Sequence, residues 1–351
     1  MKKIRHILFL VAISVLFSAC ETDFNTTSPY KDITVVYGLL DQKDQEQFIK
    51  INKAFLGEGN ALIYAQVADS SNYGYLLDVV IDEYNEDGNF LRTIVLDTTT
   101  IYNKEPGIFY SPEQTLYHVK FDQWHEIKYI LNFPDTVRID TMWLNDESTF
   151  KLKIKNPRSG KEIISETKLV HDFNYKGYGQ FINFSTDPNH TTTFKWDKAV
   201  NGDLNEFHLV FHYREVYNND TIKKSIELVS SFVSPSPFED ENSYIYKSSN
   251  FYTSCLSKIP YNDPTEEANV TARFTGPVET IVSVAEEELT LYMQVYEPST
   301  SIVQEKPEYT NIENGIGIFS SRYWKPQSKK LHSDAVNNLK ALDDNVLKFE
   351  F

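Results

Sequence analysis

The stretch 205-NEFHLVFHYREV-216 decides the fold class, because its side chains alternate between two faces. Phe207, Leu209, Phe211 and Tyr213 take every second position, and mostly polar side chains stand between them. Successive side chains of a β-strand point to opposite faces of a sheet, so this period of two predicts a strand with one buried face. Similar runs recur along the chain and predict an all-β fold.

The segments around this strand predict a sandwich. A strand with a tryptophan at 191–196 precedes it, and a partner strand at 221–229 follows the turn Asn218-Asn219-Asp220. This order is typical of the start of fibronectin type III-like sandwiches. Ser333 is expected to cap the last helix of the chain. The other elements expected in this half are strands at 269–274, 287–296 and 312–322, helices at 251–258 and 333–342, a polar loop at 230–243 and a Lys-rich link after Arg322.

The first half of the chain shows the same strand pattern. Asp87-Gly88 stands between two strand-like runs and predicts a hairpin, because glycine supplies the positive φ that a tight turn needs. A second turn is expected at 156–160, and a short helix at 60–69. The strands expected here are 33–40, 47–55, 77–84, 90–96, 116–121, 126–133, 149–155 and 161–169.

Regular alternation lapses at 171–179, and we place a domain boundary there. The prediction is therefore an all-β dominated chain with two antiparallel β-sandwich domains of the immunoglobulin or fibronectin III type and a few short helices. The first domain covers 32–172, and the second β-rich domain, with the C-terminal helix, covers 173–351.

The N-terminus predicts export and lipidation. Lys2, Lys3 and Arg5 precede an apolar run at 7–17, which ends at Ser18-Ala19-Cys20. The apolar run is about 11 residues, a length typical of a signal peptide and too short to span a bilayer. Residues 1–20 are interpreted as a lipoprotein signal peptide ending at Cys20, which would carry the lipid. The alternative is an ordinary secretory peptide cut after Ala19.

Residues 21–31 are polar and are interpreted as a tether between the lipid and the first domain. Glu21 and Asp23 follow the cysteine, and acidic residues there resemble the surface-export signal of lipoproteins from Bacteroidota. We therefore expect a lipid-anchored protein of the outer membrane and favour the cell surface over the periplasmic face.

Charge and cysteine content narrow the choice of partners. The formal net charge of −16 disfavours nucleic acid, whose phosphates select basic surfaces. Cys255 is the other cysteine of the chain, so no disulfide within a monomer is expected once Cys20 is acylated. Cys255 is interpreted as a small buried apolar side chain rather than a nucleophile.

His208 and His212 suggest a metal site, but their strand context argues against it. Four residues of a strand span roughly 13 Å, whereas two ligands of one zinc ion each lie about 2 Å from it. The acidic run Glu239-Asp240-Glu241 could bind calcium, although a solvated charge run explains it as well. The sequence matches no common catalytic motif, so we predict a protein that is not an enzyme and has no cofactor.

Tyrosines supply the candidate ligand-binding residues. Tyr73 and Tyr75, and likewise Tyr244 and Tyr246, could stack on sugar rings. Aromatic side chains are also common in the core and on the faces of a β-sandwich, and that interpretation is favoured.

The segment Asn314-Gly315-Ile316-Gly317-Ile318-Phe319 is expected to turn the chain into a strand, with glycine where a side chain would clash. With the cysteine-ended signal, the opening strand from Asp32 and the hairpin at 152–169, it resembles Bacteroidota surface lipoproteins of the "domain of unknown function 4249" type. The resemblance implies a β-rich N-terminal module before a second β domain. It also implies a role beside a TonB-dependent receptor, and no catalytic residues.

These features predict a binding or interaction module anchored in the outer membrane, accessory to a TonB-dependent nutrient importer. Two alternatives stay open. One is a secreted glycan or peptide hydrolase with paired carboxylates, which would need a cleft with two facing acids. The other is a structural adhesin or fimbrial subunit, which would need a donor strand or an open groove.

Overall fold

The computed structural model describes residues 32–54, 60–122, 125–131, 136–177, 179–217, 220–236, 238–260, 269–296 and 308–350. The signal peptide at 1–20, with Cys20, and the tether at 21–31 lie outside this range. Strands dominate the described chain, as predicted, and helices are short and few.

The described residues of the first half form ten strands. They are β1 (Thr34–Leu40), β2 (Glu46–Lys53), β3 (Asp78–Tyr84), β4 (Phe90–Val95), β5 (Asp97–Ile101), β6 (Gln114–Lys120), β7 (His125–Leu131), β8 (Thr136–Met142), β9 (Thr149–Lys155) and β10 (Glu162–Lys168). Gly88 has a φ of 78° between β3 and β4, and the predicted hairpin is confirmed.

In the part of the second half that the structure describes, nine strands follow: β11 (Tyr175–Lys176), β12 (Phe181–Ile182), β13 (Thr191–Asp197), β14 (Asn205–Tyr217), β15 (Asp220–Val233), β16 (Glu241–Lys247), β17 (Val270–Ala285), β18 (Gly315–Leu331) and β19 (Phe349–Glu350). The helices are α1 (Ala61–Ala65), α2 (Ala68–Ser71), α3 (Asn250–Lys258), α4 (Glu287–Tyr296) and α5 (Ser333–Lys340), and a 3-10 turn covers Leu342–Asp344.

Strand β14 has the alternation that its sequence predicts. Phe207, Leu209, Phe211 and Tyr213 are buried, and β14 pairs antiparallel with β15 on one side and β17 on the other. It lies in the largest sheet of the described chain, whose order is β15-β14-β17-β18-β1-β2-β6-β5. Three smaller sheets have the orders β10-β9-β3-β4, β11-β13-β16 and β7-β8.

Strand β1 pairs with β18, which is far from it in sequence, and the pairing is parallel. The prediction of antiparallel sheets is wrong at this pair and at the short parallel pairs β12–β18 and β17–β19. Hairpin signals are local in sequence, whereas Thr34 pairs with Gly315 across most of the chain, so no local pattern indicates the partner. A Cβ on Gly315 would lie 2.8 Å from Ile312 Cγ2 and 2.9 Å from Thr34 O, which confirms the predicted steric role of this glycine.

Buried apolar side chains form two clusters. The N-terminal cluster holds buried residues from Val36 to Leu169 and adds Ile312 and Phe319. The C-terminal cluster holds buried residues from Val170 to Phe349. Strand β18 supplies Phe319 to the first cluster and Tyr323 to the second, so one strand packs against both cores. The change of cluster lies close to the expected domain boundary, and the boundary itself stays a prediction.

Four local predictions are wrong. Residues Glu287–Tyr296 form helix α4 rather than a strand. The Lys-rich link after Arg322 belongs to β18, which runs on to Leu331. The polar loop at 230–243 is shorter than expected, because β15 and β16 extend into it. The cap of α5 is His332, whose Nδ1 accepts a hydrogen bond from the Asp334 amide, rather than Ser333.

Candidate functional site

A cleft of about 530 Å³ lies on the outer face of β1 and β2, and we call it the β1–β2 cleft. Strand alternation builds its floor: Val36, Ile49 and Ile51 point into the N-terminal cluster, so Tyr37 and Lys50 point outward. The cleft is lined by Val35, Tyr37, Lys50, Asn52, Lys53, Ala54, Ser71, Asn72, Lys104, Phe109, Tyr110, Glu113 and Gln114.

The first wall of the cleft is the chain around α2. The Asn52 amide donates hydrogen bonds to Ser71 O at 3.1 Å and to Asn72 Oδ1 at 2.8 Å. Both amide hydrogens of Asn52 therefore hold the end of α2 against the outer face of β2.

The second wall is the connection between β5 and β6. Helix α1 fixes it, because the Gln66 amide donates to Gly107 O at 2.9 Å and Tyr110 N donates to Ala65 O at 2.9 Å. Lys104 Nζ donates to Tyr110 O at 2.5 Å and lies 5.9 Å from the centre of the Phe109 ring. These contacts place an aromatic ring and a cation of this connection over the strands.

The charge of the cleft is opposite in sign to that of the chain. Among the described residues, Lys50, Lys53 and Lys104 line it with the single carboxylate Glu113, whereas the chain has a net charge of −16. Within the described ranges Lys50 Nζ makes no ion pair and no hydrogen bond to another side chain. Burial and the neighbouring charge of Lys104 lower the pKa of Lys50.

Aromatic side chains of α4 continue the surface beyond Tyr37. The rings of Tyr37 and Tyr292 meet edge to face with centroids 6.4 Å apart, and those of Tyr292 and Tyr296 lie 4.4 Å apart. Burial raises the pKa of Tyr292, and the hydrogen bond with Tyr37 adds to the shift. This aromatic group depends on α4 being a helix, which the sequence pattern did not indicate.

The structure brings two of the predicted tyrosines together beside a smaller pocket of about 280 Å³. The rings of Tyr73 and Tyr75 meet edge to face at 5.6 Å. The Tyr73 hydroxyl donates to Asp32 Oδ1 at 3.2 Å, and the Tyr75 hydroxyl donates to Asn156 Oδ1 at 3.1 Å. The guanidinium of Arg158 covers the Tyr75 ring at 3.9 Å, so the two tyrosines contribute contacts within the fold.

The other predicted pair lies in the C-terminal cluster. Tyr244 stacks on Phe207 with centroids 4.4 Å apart, and Tyr246 is 3% exposed. The exposed side chain of this segment is Ile245, which points to the opposite face of β16. The two tyrosine pairs therefore belong to different cores.

The two histidines of β14 each contact carboxylates. His208 Nδ1 lies 2.7 Å from Glu227 Oε1, and His212 Nε2 lies 2.9 Å from Glu279 Oε2. Burial opposes the charged form of His208, but Glu227 and Glu206 outweigh it and raise the pKa of the ring. In the part of the chain that the structure describes, no three His, Cys, Asp or Glu side chains gather as a metal site would require.

The remaining acidic candidates lie outside the cleft. Glu241 pairs with Lys195, while Glu239 and Asp240 are exposed. Burial raises the pKa of both Glu286 and Glu288 at the start of α4, where Glu286 Oε2 accepts a hydrogen bond from Ser320 Oγ at 2.7 Å.

Cys255 is fully buried, as predicted, and burial raises the pKa of its thiol.

Comparison with known proteins leaves the chain without an assigned family: no family model and no curated protein matches it. Among the helices in the described ranges, none has the length and apolar character of a membrane-spanning helix.

Sequence reasoning missed the β1–β2 cleft. The outward position of Lys50 follows from the alternation of β2, since Ile49 and Ile51 mark the inner face. The position of Lys104 and Phe109 does not follow from any period, because they lie in an irregular connection.

Proposed function

We propose that this chain is a lipid-anchored binding module of the outer membrane that holds a ligand in the β1–β2 cleft and serves a TonB-dependent nutrient importer. The observation that carries the binding role is the cleft itself, which combines an apolar and aromatic lining with three lysines. Its volume of about 530 Å³ is within the range typical of small-molecule sites.

The anchor and the partner rest on the sequence. Cys20 follows a basic segment and a short apolar run, the pattern that a lipoprotein signal peptide needs. The importer partner and the surface location rest on Glu21, Asp23 and the resemblance to Bacteroidota surface lipoproteins.

We further infer that the two buried clusters are the cores of two sandwich modules of the immunoglobulin or fibronectin III type. Each cluster draws side chains from two layers of strands: β1 and β2 with β3 and β9 in the first, and β14 and β17 with β13 and β16 in the second. Such layers are the usual arrangement of a β-sandwich.

The lining of the cleft favours binding over hydrolysis. Glycosidases place two carboxyl groups across a cleft, whereas Glu113 is the single carboxylate among the described residues that line this one. A hydrolase would therefore need a second acid from elsewhere in the chain.

The anchor is tested by Cys20→Ser. The unchanged chain should partition into the detergent phase, and the variant should move to the aqueous phase because it cannot take the diacylglyceryl group. Membrane retention of the variant would refute lipidation at Cys20.

The partner is tested by pull-down from solubilised outer membranes. Recovery of a TonB-dependent receptor in near-equal amount supports the accessory role. Protease added to intact cells should cleave the protein if it faces outward, and protection would place it on the periplasmic side.

The two other functions predict different results. Turnover of a glycan or peptide panel, lost when one carboxylate is changed, would establish the hydrolase. Assembly of the purified chain into fibres would establish the structural subunit.

A further inference from the structure

We propose that the β1–β2 cleft binds a small amphiphilic anion, in which one carboxylate is attached to a compact apolar body about the size of two fused aromatic rings. This inference rests on the proposed binding function and gives the chemistry of its ligand.

The positive charges of the cleft favour an anionic ligand. Lys50 projects from the middle of β2 into a half-buried position beside Lys104. Two like charges in partly buried surroundings repel each other, and a carboxylate between them would relieve that repulsion. Glu113 also lines the cleft, yet it makes no ion pair with the lysines there in the described residues. Among the described residues no carboxylate pairs with Lys50, and we infer that a ligand supplies the negative partner.

The apolar part of the lining favours a ligand with an apolar body. Tyr37 is 41% exposed and Phe109 is 52% exposed, although both rings are attached to well-fixed backbone. Val35 and Tyr110 extend the same surface into the cleft. A flat ring system would bury these side chains and could stack on the aromatic faces.

Two polar side chains of the lining are engaged within the fold, which favours an anion over a neutral sugar as ligand. A sugar site needs several amides and acceptors that are free to meet hydroxyl groups. Here the amide hydrogens of Asn52 are taken by Ser71 O and Asn72 Oδ1, and Lys104 already donates to Tyr110 O. On the strand side of the cleft, the ammonium groups of Lys50 and Lys53 stand with the Tyr37 hydroxyl and the Gln114 amide, and the two positive charges disfavour a cationic ligand.

The experiment compares three probes that share one apolar body. The full chain with Cys20→Ser is titrated calorimetrically with 2-naphthoate, 2-naphthalenemethanol and 2-naphthylmethylammonium at pH 7.5. We expect the carboxylate to bind at least about 10-fold more tightly than the alcohol, and the ammonium to bind most weakly. Rising salt concentration should weaken the binding of the carboxylate and leave the binding of the alcohol nearly unchanged, since salt screens interactions between exposed charges.

Lys50→Met removes the charge and keeps most of the aliphatic side chain. We expect this variant to bind 2-naphthoate about 10-fold more weakly and 2-naphthalenemethanol as before. Lys247→Met is the matched control, because Lys247 is exposed on β16, and it should bind both probes like the unchanged chain. If Lys50→Met does not fold, Lys53→Met and the salt dependence of the unchanged chain test the same claim.

The outcomes separate the ligand chemistry from the proposed function. Equal binding of the carboxylate and the alcohol, both weakened by Tyr37→Ala, would overturn the anion and leave a binding cleft. Carboxylate binding that is unaffected by Lys50→Met and Lys53→Met would overturn this site. Absence of binding by all three probes would overturn the inference altogether, while the receptor pull-down still decides the accessory role.

Discussion

Gly317 lies directly opposite Val36 in the parallel pairing of β18 with β1, and the two backbones touch. A Cβ built on Gly317 would lie 2.0 Å from Val36 O, far inside any real contact. Gly317 also has a φ of 113°, a backbone conformation that residues other than glycine rarely adopt. One glycine therefore permits the close pairing of β1 with a strand about 280 residues further along the chain.

Gly317→Ala should destabilise the protein by about 3 kcal/mol or more, because the methyl group must displace backbone and the positive φ adds strain. Urea unfolding followed by far-UV circular dichroism measures the loss. Gly107→Ala is the control, since no atom lies within 4 Å of the added Cβ. Equal stability of the two variants would contradict the close approach of β1 and β18.

Asp41→Asn should stabilise the protein at neutral pH. Asp41 is 1% exposed, its Oδ2 has no hydrogen-bond partner among the described residues, and burial raises the pKa of the carboxyl group to about 6. Between its ordinary pKa near 4 and about 6, the folded state binds more protons than the unfolded state. The stability of the unchanged chain therefore falls as pH rises through this window.

The gain from Asp41→Asn should be small at pH 4 and reach about 2 kcal/mol by pH 7.5. Its Oδ1 can still accept the hydrogen bond from the Lys43 amide. Urea unfolding at several pH values measures the difference, and the exposed Asp122→Asn is the control. A difference that does not change with pH would show that Asp41 does not titrate in this way.

Glu215→Gln should cost about 3 kcal/mol, because it removes the negative charge that faces a buried arginine. Arg273 Nε donates to Glu215 Oε1 at 2.9 Å, and the two side chains are 1% and 3% exposed. Glu166→Gln makes the same chemical change in an exposed pair with Lys151 and should cost less than about 1 kcal/mol. Thermal unfolding of both variants measures the two losses of stability. Equal losses would contradict a special role for the buried ion pair.

Cys255 should be unreactive in the folded protein. The thiol is fully buried and burial raises its pKa, so little thiolate is present and reagents cannot reach it. In the chain with Cys20→Ser, the reagent 5,5′-dithiobis(2-nitrobenzoate) at pH 8 should react at least about 100-fold more slowly in buffer than in urea. Fast labelling of the folded chain would refute this burial.

The sequence predicted features whose signal is local. The period of two in the sequence of β14 predicted both the strand and the face that is buried, since burial alternates along a pleated strand. The role of Gly315 followed from its place beside a second glycine at the start of a strand-like run. The hairpin at Gly88 followed from the turn residues themselves.

Helix α4 shows where local signals compete. The segment Glu287–Tyr296 is rich in residues that favour strands, and a short apolar run fits both structures. Glu287 and Glu288 lie in the first turn, where negative side chains interact favourably with the positive end of the helix dipole and so favour a helix start. The strand interpretation of the apolar run did not take this signal into account. Contact with β18 supplies the tertiary packing that short helices need.

The β1–β2 cleft depends on contacts that no local pattern contains. Lys104 and Phe109 reach the outer face of β2 because hydrogen bonds from the end of α1 hold the connection after β5 in place. The strand period indicates that Lys50 points outward, but it cannot indicate what lies above it.

The pairing of β1 with β18 also sets the order in which the fold can be completed. Thr34 and Gly315 are partners, yet nearly the whole chain is synthesised between them. Until residues 315–321 emerge, β1 has one unpaired edge and the N-terminal cluster lacks Phe319. A chain made from its N-terminus therefore cannot complete its first core before β18 has been synthesised.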